Sequence, residues 1–98
     1  MAEANPTDLE TRKLLVDGVQ ALLAGRREEA QQLLLSYVDR DEMNEEAWLW
    51  LSGAVDELND IETSLENCLQ LNPKNQRAQQ GLEWVSQQRA ALPASQQA

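Results

Sequence analysis

The stretch that decides the fold is residues 44–73, which read NEEAWLWLSGAVDELNDIETSLENCLQLNP. It contains two runs of helix-forming residues whose apolar members recur every three or four positions, which is the spacing of an amphipathic helix. Asn44 is a favoured N-cap for the first run, and the carboxylates of Glu45 and Glu46 suit the positive end of its dipole. Asn72-Pro73 ends the second run, because proline disfavours helix at the residue before it. The stretch therefore predicts a pair of helices.

The same kinds of signal predict helices on both sides of this pair. Thr7 and Glu10 match a capping box at the start of a first helix, and Gly25 supplies its left-handed end. Asn59 and Glu62 match another capping box, at the start of the fourth helix, and Asn75 is the N-cap of a fifth. The chain is thus predicted to be all-α, with five helices whose short connections favour antiparallel neighbours.

Composition limits the function classes. The 98 residues carry 17 acids and 8 bases, for a net charge of −9, which argues against binding of nucleic acids or anionic membranes. The chain has no His and one Cys, so we predict no catalysis, no cofactor, no metal site and no small-molecule substrate. The N-terminus lacks the basic and apolar regions of a signal peptide, and we expect a cytoplasmic protein. Cys68 lies on an apolar stripe and is predicted to pack as a small hydrophobe.

The acidic residues are unevenly distributed. Residues 39–66 hold ten acids and one base, whereas the predicted fifth helix is mildly basic. The acids over residues 39–46 are interpreted as a solvated loop with favourable helix-dipole charges rather than as a catalytic or calcium-binding cluster. The acidic surface as a whole either keeps a small protein soluble or attracts a basic partner.

Two parts of the sequence are similar to each other. Leu14-x-x-Asp17-Gly18-x-x-Ala21 lies 34 residues before Trp48-x-x-Leu51-Ser52-x-x-Val55. In each unit a second helix follows, with two apolar or small residues four positions apart. The positions that share this pattern are predicted to form the core: Leu14, Gly18, Ala21, Ala30, Leu34, Trp48, Leu51, Ser52, Val55, Ile61, Leu65, Cys68 and the closing Pro73.

This pattern resembles the tetratricopeptide repeat, which reads W-x-x-L-G-x-x-Y, then A-x-x-x-F, then a closing P. The chain departs from it at Asp17, at Ala21 and Val55, and at Glu42 in place of the first closing proline. The resemblance implies a single domain at residues 8–92, a short solenoid of two helix pairs (11–44 and 45–75) followed by a capping helix (76–91). Residues 1–7 and 93–98 are predicted to be disordered. A plain five-helix bundle is the alternative.

The resemblance also implies a function, because in the family the first helices of successive units line a groove that holds a peptide or partner helix. Carried over to this chain, that groove would be lined by Leu15, Val19, Leu22, Leu49, Trp50, Gly53 and Asp56. The Lys, Asn and Arg residues by which chaperone adaptors clamp a terminal carboxylate are absent there. An apolar groove with an acidic rim instead predicts a hydrophobic or basic amphipathic segment of another protein.

The tryptophans and the first helix provide further predictions about buried and exposed surfaces. Trp48 and Trp84 are predicted to be core residues, whereas Trp50 is a candidate for an exposed, binding aromatic. The first helix carries more apolar surface than one neighbouring helix can cover, on Leu15, Val16, Val19, Leu22 and Leu23. That surface is therefore predicted to be covered by a partner, either another protein or a second copy of the chain. The alternative function is structural self-assembly, in which the chain forms a homodimer and its groove is covered by its own copy.

Overall fold

Five α-helices make up the fold of the described residues, 9–93, in a computed structural model of the chain. They are α1 (Leu9–Leu23), α2 (Arg27–Arg40), α3 (Glu45–Ser52), α4 (Leu58–Leu71) and α5 (Gln76–Ala91). No strand occurs in these residues, and each helix contacts the next one along the chain. The prediction of five helices is confirmed. Thr7 and the two predicted disordered ends, apart from Pro93, lie outside the described residues.

Most of the predicted helix boundaries are confirmed, because they depend on local chemistry. Gly25 ends α1 with a φ of 86°, in the left-handed region that favours glycine. Asn44 Oδ1 accepts hydrogen bonds from the backbone N–H groups of Glu46 (3.0 Å) and Ala47 (3.3 Å). Asn75 Oδ1 caps α5 by accepting one such bond, from the backbone N–H of Ala78 (3.0 Å). Local side-chain capping therefore fixes where α3 and α5 begin.

The capping box predicted at the start of α4 is wrong. The helix begins at Leu58, two residues earlier than a cap at Asn59 allows, and its N-cap residue, Glu57, makes no side-chain capping bond. Asn59 and Glu62 instead accept hydrogen bonds from the Arg89 guanidinium of α5, with 2.8 Å between Arg89 Nη1 and Glu62 Oε1. A charged donor from α5 forms a stronger bond with these groups than a backbone N–H does. The two residues thus join α4 to α5.

The α2–α3 and α4–α5 turns are built alike, 31 residues apart. Asp41 and Asn72 end the preceding helices with nearly the same backbone angles, φ −141° and ψ 93° against φ −145° and ψ 94°. Each side chain accepts a hydrogen bond of 3.1 Å from the backbone N–H two residues later. The N-cap asparagines Asn44 and Asn75 follow three residues after them. The two turns thus share one local geometry, at a spacing that differs from the 34 residues between the similar sequence patterns.

The core consists of two clusters. The first contains the buried residues Ala21, Ala30, Leu34, Tyr37, Val38, Ala47, Leu51, Ala54 and Val55. The second contains Leu65, Cys68, Ala78 and Val85. Trp48 packs against both clusters, but it is half-buried rather than fully buried. Its indole N–H reaches the surface loop and donates to the Glu42 carbonyl at 2.9 Å.

The remaining predicted core positions fall into three groups. Gly18 is buried, whereas Leu14, Ser52 and Ile61 are half-buried and Pro73 is exposed. Gly18 allows close approach between α1 and α2, because a Cβ added there would lie 2.9 Å from two carbon atoms of the Leu34 side chain. The small residue at this position therefore brings the first two helices together.

Glu45 links the start of α3 to the α4–α5 turn. Its Oε2 accepts hydrogen bonds from the side-chain amides of Asn72 and Asn75, each at 2.9 Å. These two bonds favour the ionised carboxylate and lower the pKa of Glu45 below its ordinary value. Ionised Glu45 therefore stabilises the folded chain.

We expect Glu45→Gln to destabilise the protein at neutral pH and to have a smaller effect in acid. The pKa of Glu45 is lower in the folded state than in the unfolded state. Its contribution is therefore complete above the unfolded pKa and is lost as the pH falls through the folded one. Urea denaturation of both proteins near pH 7 and near pH 3 measures the difference. Glu46→Gln is the control, and an equal loss of stability from Glu45→Gln at both pH values would contradict the expectation.

Candidate binding groove

An open groove of about 330 Å³ lies between α3, α4 and α5. Its lining residues come from four helices and one loop. They are Leu49, Ser52, Gly53 and Val55 of α3 and the loop after it, Ile61 and Leu65 of α4, Arg77, Gly81 and Trp84 of α5, and Arg27 of α2. This volume is at the lower end of the range for ligand sites and is large enough for one or two bulky side chains.

The sequence forms the walls of the groove by helical spacing. Arg77, Gly81 and Trp84 lie at positions i, i+4 and i+7 of α5 and therefore share one face of that helix. Gly81 lets α5 approach α4, because a Cβ there would lie 2.8 Å from Cδ1 of Leu65. The glycine leaves space between the larger Arg77 and Trp84, and the Leu65 side chain lies beneath it. The groove therefore has an apolar floor below one aromatic and one cationic side chain.

Trp84 is 47% exposed, so the prediction that it is a core residue is wrong. The core face of α5 is formed by Ala78, Leu82 and Val85, which pack in the second cluster. Trp84 directly precedes Val85 and is therefore rotated by about 100° from it around the helix. The indole consequently lies at the groove and at the solvent.

The charge of the groove differs in sign from that of the whole chain. Its ten lining residues include two arginines and no acid, although the chain carries a net charge of −9. Arg27 is already bound on one side, since its Nη2 donates to the Val55 carbonyl at 3.0 Å and lies 2.7 Å from Asp56 Oδ1. Within residues 9–93, the Arg77 side chain forms no hydrogen bond or ion pair.

The structure places the seven binding residues that the sequence predicts on α1, on α3 and in the loop after α3. Leu49 and Gly53 line the groove, and Asp56 lies beside it as the partner of Arg27. Leu15, Leu22 and Trp50 pack against the first cluster, and Val19 is half-buried on α1. The single binding surface predicted for these seven residues stays a prediction. Among the lining residues that the sequence did not predict are Arg77 and Trp84, and the signal for them was their i, i+7 spacing around Gly81.

Other features of the described residues offer little chemistry. No group of three or more Cys, Asp or Glu side chains there could hold a metal ion. Cys68 is buried as predicted, and burial, together with the nearby Glu45 and Glu46 carboxylates, raises the pKa of its thiol. A smaller cleft of about 140 Å³ lies beside Trp48, between the α2–α3 loop and α4. The groove is the larger of these two spaces.

None of the five helices has the length and hydrophobicity that a membrane span requires, as far as residues 9–93 are concerned. Comparison of the chain with protein-family models, with curated proteins and with solved structures finds no match.

Proposed function

We propose that the chain is a protein-interaction module that binds a peptide or a partner helix in the groove between α3 and α5. The observation that carries the proposal is the half-exposed Trp84 above the apolar side chains of Ile61 and Leu65. A large aromatic side chain at the edge of an apolar space is the commonest kind of anchor in protein interfaces. The proposal involves no catalysis.

The proposed architecture is a short tetratricopeptide-like solenoid of antiparallel helices. Two observations support it. The α2–α3 and α4–α5 turns have the same capping geometry, and contacts connect each helix to the next. In such a solenoid α3 and α5 are first helices of adjacent units and α4 lies behind them, which fits a groove with walls from α3 and α5 and a floor from α4.

A second function, self-assembly, is favoured by one feature of α1. Leu9, Val16 and Leu23 are 79%, 52% and 74% exposed and lie seven residues apart, so they form a single apolar stripe. A second copy of the chain could cover this stripe. Sedimentation equilibrium distinguishes the two functions, because self-assembly requires a dimer that Val16→Glu converts to a monomer, whereas the groove binds its ligand in a monomer.

The test of the proposed groove is a selection of random peptides from a display library on the immobilised protein. We expect enriched peptides whose affinity falls at least about tenfold in Trp84→Ala, because the aromatic anchor is lost. Leu35→Ala is the matched control, since Leu35 is 45% exposed but lies on α2, outside the groove. Thermal denaturation should show that both variants remain folded.

Two outcomes would contradict the proposed function. One is a selection that enriches no peptide. The other is a set of enriched peptides that bind Trp84→Ala and wild-type protein equally well.

A further inference from the structure

We infer that the segment bound in the groove is acidic, with a side-chain carboxylate about three residues from a bulky apolar residue. The inference rests on the proposed function and adds the chemistry of the ligand. It differs from what the acidic net charge of the chain suggests, which is a basic ligand. The arrangement of charges and apolar side chains along α5 carries the inference.

The first observation is the local charge. Acids outnumber bases by 17 to 8 in the chain, yet the lining of the groove contains Arg27 and Arg77 and no Asp or Glu. Asp56 is the nearby acid, and its carboxylate is paired with Arg27. An exposed pair of this kind is weak and leaves Arg27 accessible to a second carboxylate. A basic segment in the groove would therefore face the Arg27–Asp56 ion pair and the uncompensated charge of Arg77.

The second observation is the state of Arg77. Its guanidinium is exposed and has no acceptor among residues 9–93, although the chain has many carboxylates that could have been placed nearby. A guanidinium offers five N–H donors in a planar fork that matches a carboxylate. Arg77 is thus available to bind a ligand carboxylate without first breaking an internal ion pair.

The third observation is the distance between the two groups on α5. Trp84 lies seven residues after Arg77, which corresponds to about 10 Å along the helix axis. In a peptide in the polyproline II conformation this distance is spanned by three residues at about 3.1 Å each, and residues three apart share one face because the conformation has three residues per turn. The ligand therefore presents a carboxylate to Arg77 and a bulky apolar side chain to the space beside Trp84 and Leu65. In a helical ligand the same two groups would lie about seven residues apart.

The experiment uses the random-peptide selection in two parallel arms, on wild-type protein and on Arg77→Glu. We expect peptides from the wild-type arm to be enriched in Asp or Glu near Leu, Met, Phe or Trp. Their affinity, measured by fluorescence anisotropy, should fall about tenfold or more in Arg77→Glu and should weaken with added salt. Lys74→Glu is the matched control, since it makes the same charge change on an exposed side chain three residues away and outside the groove.

The outcomes separate the two proposals. One outcome would overturn the acidic ligand but retain the proposed binding groove. In it, the enriched peptides are neutral or basic, bind Trp84→Ala more weakly than wild-type protein, and bind Arg77→Glu at least as tightly as wild-type protein. An equal loss of affinity in Lys74→Glu and Arg77→Glu would also overturn it, because the effect would then depend on net charge alone. A selection that enriches nothing contradicts the proposed function itself. Acidic peptides whose affinity falls in Arg77→Glu but not in Lys74→Glu support both the binding groove and the acidic ligand.

Discussion

Leu34→Ala is expected to lower the free energy of unfolding by about 3–5 kcal/mol, which is the usual cost of emptying a fully buried leucine site. Leu34 has no exposed surface and packs directly against the backbone of α1 at Gly18. The substitution removes the Leu34 carbon atoms that lie against α1 at Gly18 and leaves a cavity between the two helices. A domain of this size is stable by only about 5–15 kcal/mol, so the variant loses a large part of its stability.

Urea denaturation followed by far-UV circular dichroism measures this loss. Leu35→Ala is the control, because it removes the same atoms from the next residue, which is 45% exposed. We expect it to cost less than about 1 kcal/mol. Similar losses in the two variants would mean that α2 does not present Leu34 to α1.

The positions of the helix ends could be predicted from the sequence because they depend on groups that are close along the chain. Asn44 and Asn75 each bind a backbone N–H within three residues, and Gly25 adopts its left-handed conformation whatever lies elsewhere in the fold. The error at Asn59 has the opposite cause. Its side chain binds Arg89, 30 residues away, and no local pattern signals that contact.

It was harder to predict which side of α5 faces the core, because Leu82, Trp84 and Val85 are all apolar and lie within one turn of the helix. Sequence alone does not show which of them faces α4. The close approach of Gly81 to Leu65 sets the rotation of α5, which buries Val85 and leaves Trp84 exposed. Residue composition indicated a basic fifth helix, but the position of Arg77 beside Trp84 follows only from this rotation.

The location of the groove also depends on contacts between distant residues. The sequence places the binding surface across the first and third helices. In the structure Leu22 of α1 lies near Gly53, where an added Cβ would be 3.6 Å from Leu22 Cδ2, and this contact fills part of the space between the two helices. The open space lies instead between α3 and α5, where Ser52 and Gly81 supply no large side chain to fill it.

Trp48→Ala is expected to cost about 2–3 kcal/mol, somewhat less than for a fully buried tryptophan, because the indole is half-buried. The larger effect of this substitution is expected on the cooperativity of unfolding. Trp48 packs against both core clusters, and in a chain of helix pairs cooperativity depends on contacts between adjacent units. Removing the indole should therefore allow the two clusters to unfold at different urea concentrations.

Two probes followed together detect this separation. Far-UV circular dichroism reports loss of all the helices, whereas reaction of Cys68 with a thiol reagent reports opening of the second cluster, in which the thiol is buried. The two transitions should coincide in the wild-type protein and separate in Trp48→Ala. Trp50→Ala is the matched control, because Trp50 packs against the first cluster, so its loss should lower stability and leave the link between the clusters intact. Coincident transitions in Trp48→Ala would show that contacts elsewhere along α3 and α4 suffice to couple the clusters.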